Sequence, residues 1–213
     1  MRMASVALIT VTPDAEELLV YMARVSNPVN QGVGQRSERL IQYLIDHKHW
    51  SPFEMVHMVL QIETTRSVAA QILRHRSFSF QEFSQRYADT NLLGSARAPH
   101  LRRQDNSNRQ NSIDDLTADK TQIFYRRINQ HFEEAQDLYR EMVSMGVAKE
   151  CARSVLPINT VTKLYMSGTI RSWLHYVALR GENGTQKEHM SIARSVGEIL
   201  DTEVPQISRA MWG

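Results

Sequence analysis

The sequence predicts an α+β fold in which a central antiparallel or mixed sheet packs with several helices, including one long helix. Apolar residues alternate with polar ones over 6–11, 55–64 and 159–167, which is typical of strands. Other segments carry apolar residues three and four positions apart, as amphipathic helices do. The longest of these segments runs from residue 119 to about 145. Strands interspersed with helices of this kind favour a sheet covered by helices.

Composition indicates a soluble globular protein. The chain has 213 residues, 42% hydrophobic and 23% charged, which is enough to bury a core in a single domain over 1–213. The net charge of +2 is too small to indicate a nucleic-acid partner by itself. No apolar run is long enough to span a membrane, and the N-terminal apolar run lacks a clear small-residue cleavage site. We therefore expect a cytoplasmic protein with no membrane partner.

The first elements are a strand, a helix, a loop and a second helix. Val6, Leu8 and Val11 lie in the opening strand. A helix is predicted from about 13 to 24, and a loop rich in Asn, Pro and Gly from 27 to 34. The second helix, from 37 to about 47, has a stripe of apolar residues that we expect to be buried: Leu40, Ile41, Leu44 and Ile45.

The segment 47–54 has two interpretations. Ser51 and Glu54 have the form of a capping box with Pro at the first helical position, and the residues alone favour this structural interpretation. A metal site built from His47, His49 and His57 lacks a carboxylate or cysteine ligand, so we predict no metal.

The most informative block is TRSVAAQILRHRSFSFQEFSQRY, residues 65–87. It begins as a helix with Gln71 and Arg74 on one face and continues as an extended segment. A basic cluster is most often a solvated face, and cations at a helix C-terminus complement its dipole without a ligand. Two features favour a site for an anion and a planar ring instead. The cations are Arg and His without Lys, and four aromatic residues lie beside them: Phe78, Phe80, Phe83 and Tyr87.

The middle of the chain holds a polar tract, a long helix and one cysteine. Residues 102–112, within a loop of about 100–117, have no hydrophobic period and are predicted to form a mobile loop that either closes over substrate or is a surface excursion. The long helix is expected to bury one side, formed by Ile123, Ile128, Phe132, Ala135, Leu138 and Met142. Cys151 is either a nucleophile activated by Arg153 or, as we expect from its helical setting, a small core residue.

The C-terminal part contains a second informative block over 169–180. Taken alone it is an amphipathic helix with Arg171 and His175 on one side and a cationic end. A further helix runs from about 186 to 202, and Pro205 opens a short last helix. The sequence contains no Walker loop or Gly-rich dinucleotide fingerprint.

The motif Arg74-His75-Arg76, followed after seven residues by Ser84, resembles the signature of the flavin-dependent thymidylate synthases. The block around Arg180 and the segment around His49 are similar to further blocks of that family. The resemblance implies that dUMP is converted to dTMP with FAD, methylenetetrahydrofolate and a reduced nicotinamide such as NADPH. It also implies a homotetramer with active sites at subunit interfaces.

The resemblance also assigns residues. It makes Arg180 catalytic, because this side chain stabilises negative charge on the ionised pyrimidine, and it places His49 near the flavin or folate. The residues implied to bind dUMP are Gln71, Arg74, Glu82, Ser84, Gln85, Arg86, Arg153 and Arg180. The residues implied to bind FAD are Ser51, Glu54, Arg74, His75, Arg76, Ser77, Glu82, Thr169, Arg171 and His175.

Two other functions remain open at this point. The basic and aromatic block is compatible with a nucleic-acid-binding module without flavin, although Glu82 and Asp89 within the block oppose this. A flavin reductase that does not methylate nucleotides is the other alternative.

Overall fold

The computed structural model describes residues 4–31, 37–182 and 184–213. The strands are β1 (Ser5–Val11), β2 (His57–Thr65), β3 (Ser79–Glu82), β4 (Arg103–Gln104), β5 (Ser112–Ile113) and β6 (Val161–Thr169). The helices are α1 (Ala15–Ala23), α2 (Ser37–Asp46), α3 (Arg66–Ile72), α4 (Ala118–Ser144), α5 (Lys149–Ala152), α6 (Ile170–Arg180), α7 (Lys187–Glu203) and α8 (Pro205–Trp212). Short 3₁₀ turns lie at Pro28–Asn30, Ser51–Glu54, Thr90–Leu93 and Arg153–Val155. The predicted α+β class is confirmed.

The main sheet is antiparallel throughout, with the order β1-β2-β6-β3. The strand predicted over 55–64 is therefore central, as β2. Alternate residues of β2 are buried, and Leu60 lies opposite Met166 while Ile62 lies opposite Leu164. These cross-strand apolar pairs fix the register, because a slip by one residue would turn the buried face outward.

The core joins this sheet to six helices. Buried apolar side chains of α1, α2, α3, α6, α7 and α8 form one cluster with those of β2 and β6. Trp173 of α6 is fully buried there, and its indole N–H donates to the carbonyl of Met58 at 3.1 Å. Burial of this large ring therefore leaves its polar end satisfied, which fixes α6 on the sheet.

Gly168 on β6 makes room for the ring of Phe78. A Cβ added at Gly168 would lie 2.4 Å from Phe78 Cδ1, far inside van der Waals contact. We expect Gly168→Ala to lower the free energy of unfolding by about 1–3 kcal/mol, as overpacking of a core does, measured by urea titration. The control is Gly197→Ala in α7, where the added Cβ meets Val177 at an ordinary 3.6 Å. Equal stability of the two variants would contradict this account of Gly168.

The long helix is confirmed, but its predicted buried side is partly wrong. Ile123 and Leu138 are exposed, whereas α4 buries Thr121, Ala135, Gln136 and Tyr139. The helix packs away from the main core, against α5 and the turn at Thr90–Leu93, where Gln136 donates to Asn91 Oδ1 at 2.8 Å. The spacing of apolar residues therefore did not predict the buried face of α4, which includes the polar residues Thr121 and Gln136.

Three local predictions are also corrected. Residues 103–113 form a short β4-β5 hairpin rather than an irregular loop, and Arg103 pairs with Asp115 beside it. The capping box at Ser51 and Glu54 is wrong, because the turn there begins after Trp50 and has no side-chain cap. Cys151 is exposed, so its predicted place in the core is wrong. Of the predicted loop 27–34, the part that contains Gly32 and Gly34 lies outside the described residues.

Candidate active site

A cavity of about 420 Å³ lies where α6 begins. Four residues predicted to contact flavin line its polar part, namely Glu54, Ser77, Arg171 and His175. Its apolar part is formed by Trp50, Leu174, Ala178 and Met211. An apolar wall with a few polar groups around it is the usual form of a cofactor pocket.

The polar residues of this cavity are held by the start of α6. Thr169 caps the helix, since its hydroxyl accepts from the backbone N–H of Ser172 at 3.2 Å. The Ser172 hydroxyl in turn donates to the carbonyl of Ser77 at 3.3 Å. Arg171 forms an ion pair with Glu54. The segment after α3, the Ser51–Glu54 turn and α6 are thus joined at one place.

Arg180, at the end of α6, contacts the predicted Arg-His-Arg motif. Its Nε donates to His75 Nε2 at 3.0 Å. Burial, together with the positive charge of Arg180 and then of His175, lowers the pKa of His75 to about 4. His75 is therefore neutral at pH 7 and accepts through Nε2, so Nδ1 carries its proton. Within the described residues, the two terminal nitrogens of Arg180 have no hydrogen-bond partner, which leaves them available to a ligand.

A buried polar chain that the sequence did not reveal lies next to this pair. Tyr176 and His189 are fully buried, and their Oη and Nε2 atoms are 3.0 Å apart. The Nδ1 of His189 lies 3.3 Å from Oε1 of Gln71, and Nε2 of Gln71 donates to Gln186 at 2.6 Å. Burial is the main cause that lowers the pKa of His189, to about 4, and that raises the pKa of Tyr176.

This chain of hydrogen bonds ends at the buried ion pair of Arg102 with Glu188. Gln186 donates to Glu188 Oε2 at 2.9 Å, and Arg102 donates to both carboxylate oxygens of Glu188 at 2.8 and 3.0 Å. Burial opposes ionisation of Glu188, but the hydrogen bonds from Arg102 and Gln186 outweigh it and lower the pKa of that carboxyl. Arg102 immediately precedes the β4-β5 hairpin, which is thereby attached to the first turn of α7.

A second group of predicted nucleotide residues lies at the other end of β6, near Val161. Gln85 and Arg153 line a cavity of about 420 Å³ together with Arg66 and Glu150. Gln85 is 5% exposed, and among the described residues its Nε2 has no partner. A buried amide donor without an acceptor is costly, so a ligand oxygen at this place would compensate it. Arg86 pairs nearby with Glu150 at 3.2 Å, and both are exposed.

The remaining predicted residues are less engaged. Glu82 accepts from the hydroxyl of Thr162 at 2.8 Å and from Arg66 at 3.4 Å. Four predicted residues that are exposed to solvent are Ser51, Arg74, Arg76 and Ser84. Of the four aromatic residues taken as favouring a ring site, Phe78 is instead a core residue whose ring centroid lies 4.6 Å from that of Trp173.

The predicted nucleotide residues therefore do not form one group in a single protomer. Gln85 and Arg153 line the cavity near Val161, whereas Arg180 donates to His75 at the end of α6 and does not line that cavity. The residues predicted to contact flavin, around Arg171, form the third group.

The histidines of the segment 47–57 make other contacts. The ring of His47 stacks on Tyr43 with centroids 4.0 Å apart, and His49 meets the same tyrosine edge-on at 5.9 Å. Across the described ranges, no group of three or more metal-ligating side chains was found. No helix in those ranges is both long and apolar enough to cross a membrane.

A sequence profile described as thymidylate synthase complementing protein matches residues 7–206. A probable flavin-dependent thymidylate synthase from Paramecium bursaria Chlorella virus 1 is 48% identical over 198 residues, which cover 92% of this chain and 90% of that one. The chain belongs to the flavin-dependent thymidylate synthase family. These matches confirm the family that the sequence motifs indicated.

A further relative and a solved structure are also similar to this chain. The flavin-dependent thymidylate synthase of a Synechocystis species is 47% identical over 196 residues, covering 92% of this chain and 89% of that one. Among solved structures, the UMP/dUMP methylase PolB from Streptomyces cacaoi, bound with 5-Br dUMP, superposes with a TM-score of 0.85 at 25% identity. That match covers 97% of this chain and 93% of PolB.

The buried Arg102–Glu188 pair gives a stability prediction for this family member. We expect Glu188→Gln to lower the free energy of unfolding by about 3 kcal/mol, because it leaves the nearly buried Arg102 charge uncompensated. The double variant Arg102→Met, Glu188→Leu should recover most of that loss, since it removes both charges. Chemical denaturation measures both. The control is Glu38→Gln in the exposed Arg209–Glu38 pair, expected to cost less than about 1 kcal/mol. A double variant no more stable than Glu188→Gln would contradict the prediction.

Proposed function

We propose that this protein is a flavin-dependent thymidylate synthase that converts dUMP to dTMP. Methylenetetrahydrofolate supplies the carbon, and FAD, reduced by NADPH, supplies the hydride. The observation that carries the proposal is the Arg180–His75 contact, because it presents an arginine with free terminal nitrogens on α6, the helix that also lines the cavity described above. The names of the relatives and of the PolB structure support the substrate class.

The lining of the cavity at the start of α6 suits the ring of a flavin. Its apolar wall suits the faces of a planar ring, and Arg171, His175 and Ser77 offer donors and acceptors at its edge. We assign flavin binding to these residues with Glu54, Thr169 and the Arg-His-Arg motif. A bound flavin would supply hydride transfer there, and the protein would orient its ring and exclude water. His49 and Ser51 do not line this cavity, so their assignment rests on the resemblance alone.

The phosphate of dUMP is assigned to the second group. A phosphate carries nearly two negative charges at pH 7 and needs several donors when it is removed from water. Donors of this kind lie near Val161, namely Arg153, Arg86 and the unpaired Nε2 of Gln85. Ser84, which directly precedes Gln85 in the sequence, adds a hydroxyl. Glu82 orients this segment through Thr162 and Arg66.

Arg180 is assigned the catalytic role. Its Nε is held by neutral His75, which leaves the two terminal nitrogens to donate to a uracil carbonyl oxygen. A fixed guanidinium at that place stabilises the negative charge that develops when the ring is ionised and its carbon becomes nucleophilic. Gln71 in the last turn of α3 and Arg74, which precedes His75 in the turn after that helix, are assigned to the nucleotide.

We also propose that the active sites form between copies of the chain in a homotetramer. Within one protomer, the residues assigned to the phosphate line the cavity near Val161, and Arg180 does not line that cavity. Helix α4 also exposes Ile123, Phe124 and Leu138, large apolar side chains that a partner would cover. A second copy that brings its own Arg153 and Gln85 to the Arg180 of the first would complete the site. We also propose a cytoplasmic location, as expected from the sequence.

The test is to detect dTMP after incubation of the purified protein with dUMP, methylenetetrahydrofolate, FAD and NADPH, omitting each in turn. We expect product with the complete mixture and none when any one is omitted. The nucleic-acid-binding alternative instead predicts no flavin binding and an oligonucleotide affinity that falls steeply with salt. NADPH oxidation without dTMP would favour the flavin reductase alternative.

A further inference from the structure

The hydrogen-bond chain that starts at Tyr176 and ends at Glu188 has a direction that can be worked out. The Glu188 carboxylate accepts from Arg102 and has no proton to give, so the nitrogen of the Gln186 amide must face it. The oxygen of that amide then faces Gln71, which must donate to it through Nε2. This leaves Oε1 of Gln71 directed at His189.

The same logic fixes the tautomer of His189. Because Oε1 of Gln71 can only accept, Nδ1 of His189 carries the proton and donates across 3.3 Å. Neutral His189 then has a lone pair on Nε2, which accepts from the hydroxyl of Tyr176 at 3.0 Å. Every donor in the chain therefore points towards Glu188. A reversed Gln71 amide would place its NH₂ group against the N–H of His189.

Gln71 occupies a central place between these groups. It lies in the last turn of α3, and His75 follows three residues after that helix ends. His75 holds Arg180, and its ring centroid is 6.0 Å from that of His189. Nε2 of Gln71 has a second hydrogen that no other described residue accepts. Two neutral histidines thus hold the two donors beside the proposed nucleotide site. His75 holds Arg180, and His189 holds Gln71.

We propose that His189, supported by Tyr176, is a positioning residue that locks the Gln71 amide so that its free N–H donates to an acceptor oxygen of the bound uracil nucleotide. This inference rests on the proposed function, because it takes dUMP as the ligand. His189 does not itself touch the nucleotide. Its contribution is to prevent the amide from turning its oxygen towards the ligand, where it would repel another acceptor.

Two substitutions separate the two hydrogen bonds of His189. His189→Asn places an amide nitrogen where Nδ1 lies and keeps the donor to Gln71. His189→Gln places an amide oxygen where Nε2 lies, which keeps the acceptor for Tyr176 and loses the donor to Gln71. We expect His189→Gln to raise the dUMP dissociation constant about tenfold, the effect of one lost hydrogen bond, and His189→Asn to stay within about threefold of the wild type. Calorimetric titration of the FAD-loaded protein measures both.

Equal dUMP affinity of wild type and His189→Gln, or equal loss in both variants, would overturn the inference while the proposed function stands. Failure of the wild type to bind dUMP would overturn the proposed function. Thermal melting identifies a variant that does not fold. If either fails to fold, ¹⁵N NMR of the wild type decides: a proton on Nδ1 of His189 is expected, and a proton on Nε2 would overturn the inference.

Discussion

The Arg180→Ala variant is expected to form dTMP about a thousandfold more slowly than the wild type at saturating dUMP, while it still binds FAD. The size of the loss follows from removing a preorganised donor aimed at developing charge. FAD binding should persist because Arg180 does not line the cavity at the start of α6. Product formation gives the rate, and the visible flavin spectrum reports bound FAD.

Two further variants control for the loss of a charge. Arg180→Lys keeps the charge but cannot both donate to His75 and present two nitrogens, so it should remain strongly impaired. Arg39→Ala removes an exposed arginine of α2 and should keep wild-type activity. Full activity in Arg180→Ala would refute the catalytic assignment. Loss of flavin together with activity would show that Arg180 acts through the cofactor site instead.

Mixing two inactive variants is expected to restore activity. Arg180→Ala lacks the proposed catalytic group, and Arg153→Ala lacks a proposed phosphate donor, whose side chain lines the cavity near Val161. If each site takes Arg180 from one copy and Arg153 from another, a mixed assembly contains some sites with both arginines. Random pairing of the two variants should leave about a quarter of the sites intact.

The experiment uses co-expression of the two variants with different affinity tags and purification through both tags. Activity of the mixed assembly well above that of either variant alone is the expected result. The control is a co-expressed Arg180→Ala protein carrying both tags, which should stay inactive. A mixed assembly as inactive as its parents would contradict shared sites and would require Arg153 and Arg180 to act on one nucleotide within a single protomer.

Much of the fold was predictable because strands and helices have different apolar periods. The central position of β2 followed from its alternation and was confirmed by its pairing with β1 and β6. The buried face of α4 was not predictable, because Tyr139 and Gln136 are buried by contacts with a turn far away in sequence. Spacing indicates which residues share a face, but not which element covers that face.

The candidate site, like the fold, was predictable from the sequence only in part. The arginines and histidines of the two blocks were found from residue type and from the family resemblance, since guanidinium groups suit anionic ligands. His189 was missed because a lone histidine within a helix carries no motif. One signal was nevertheless present, since Glu188 and His189 lie four residues before Ile192 and Ala193 and so continue the buried stripe of α7 with polar residues. Polar residues at buried positions need partners, which points to a network.

The most direct measurement is release of tritium from dUMP labelled at carbon 5 of the uracil ring, in the presence of methylenetetrahydrofolate and NADPH. The proposed function predicts release that requires added FAD and that is lost in Arg180→Ala. Release that is independent of FAD, or no release by a protein that binds both FAD and dUMP, would contradict it.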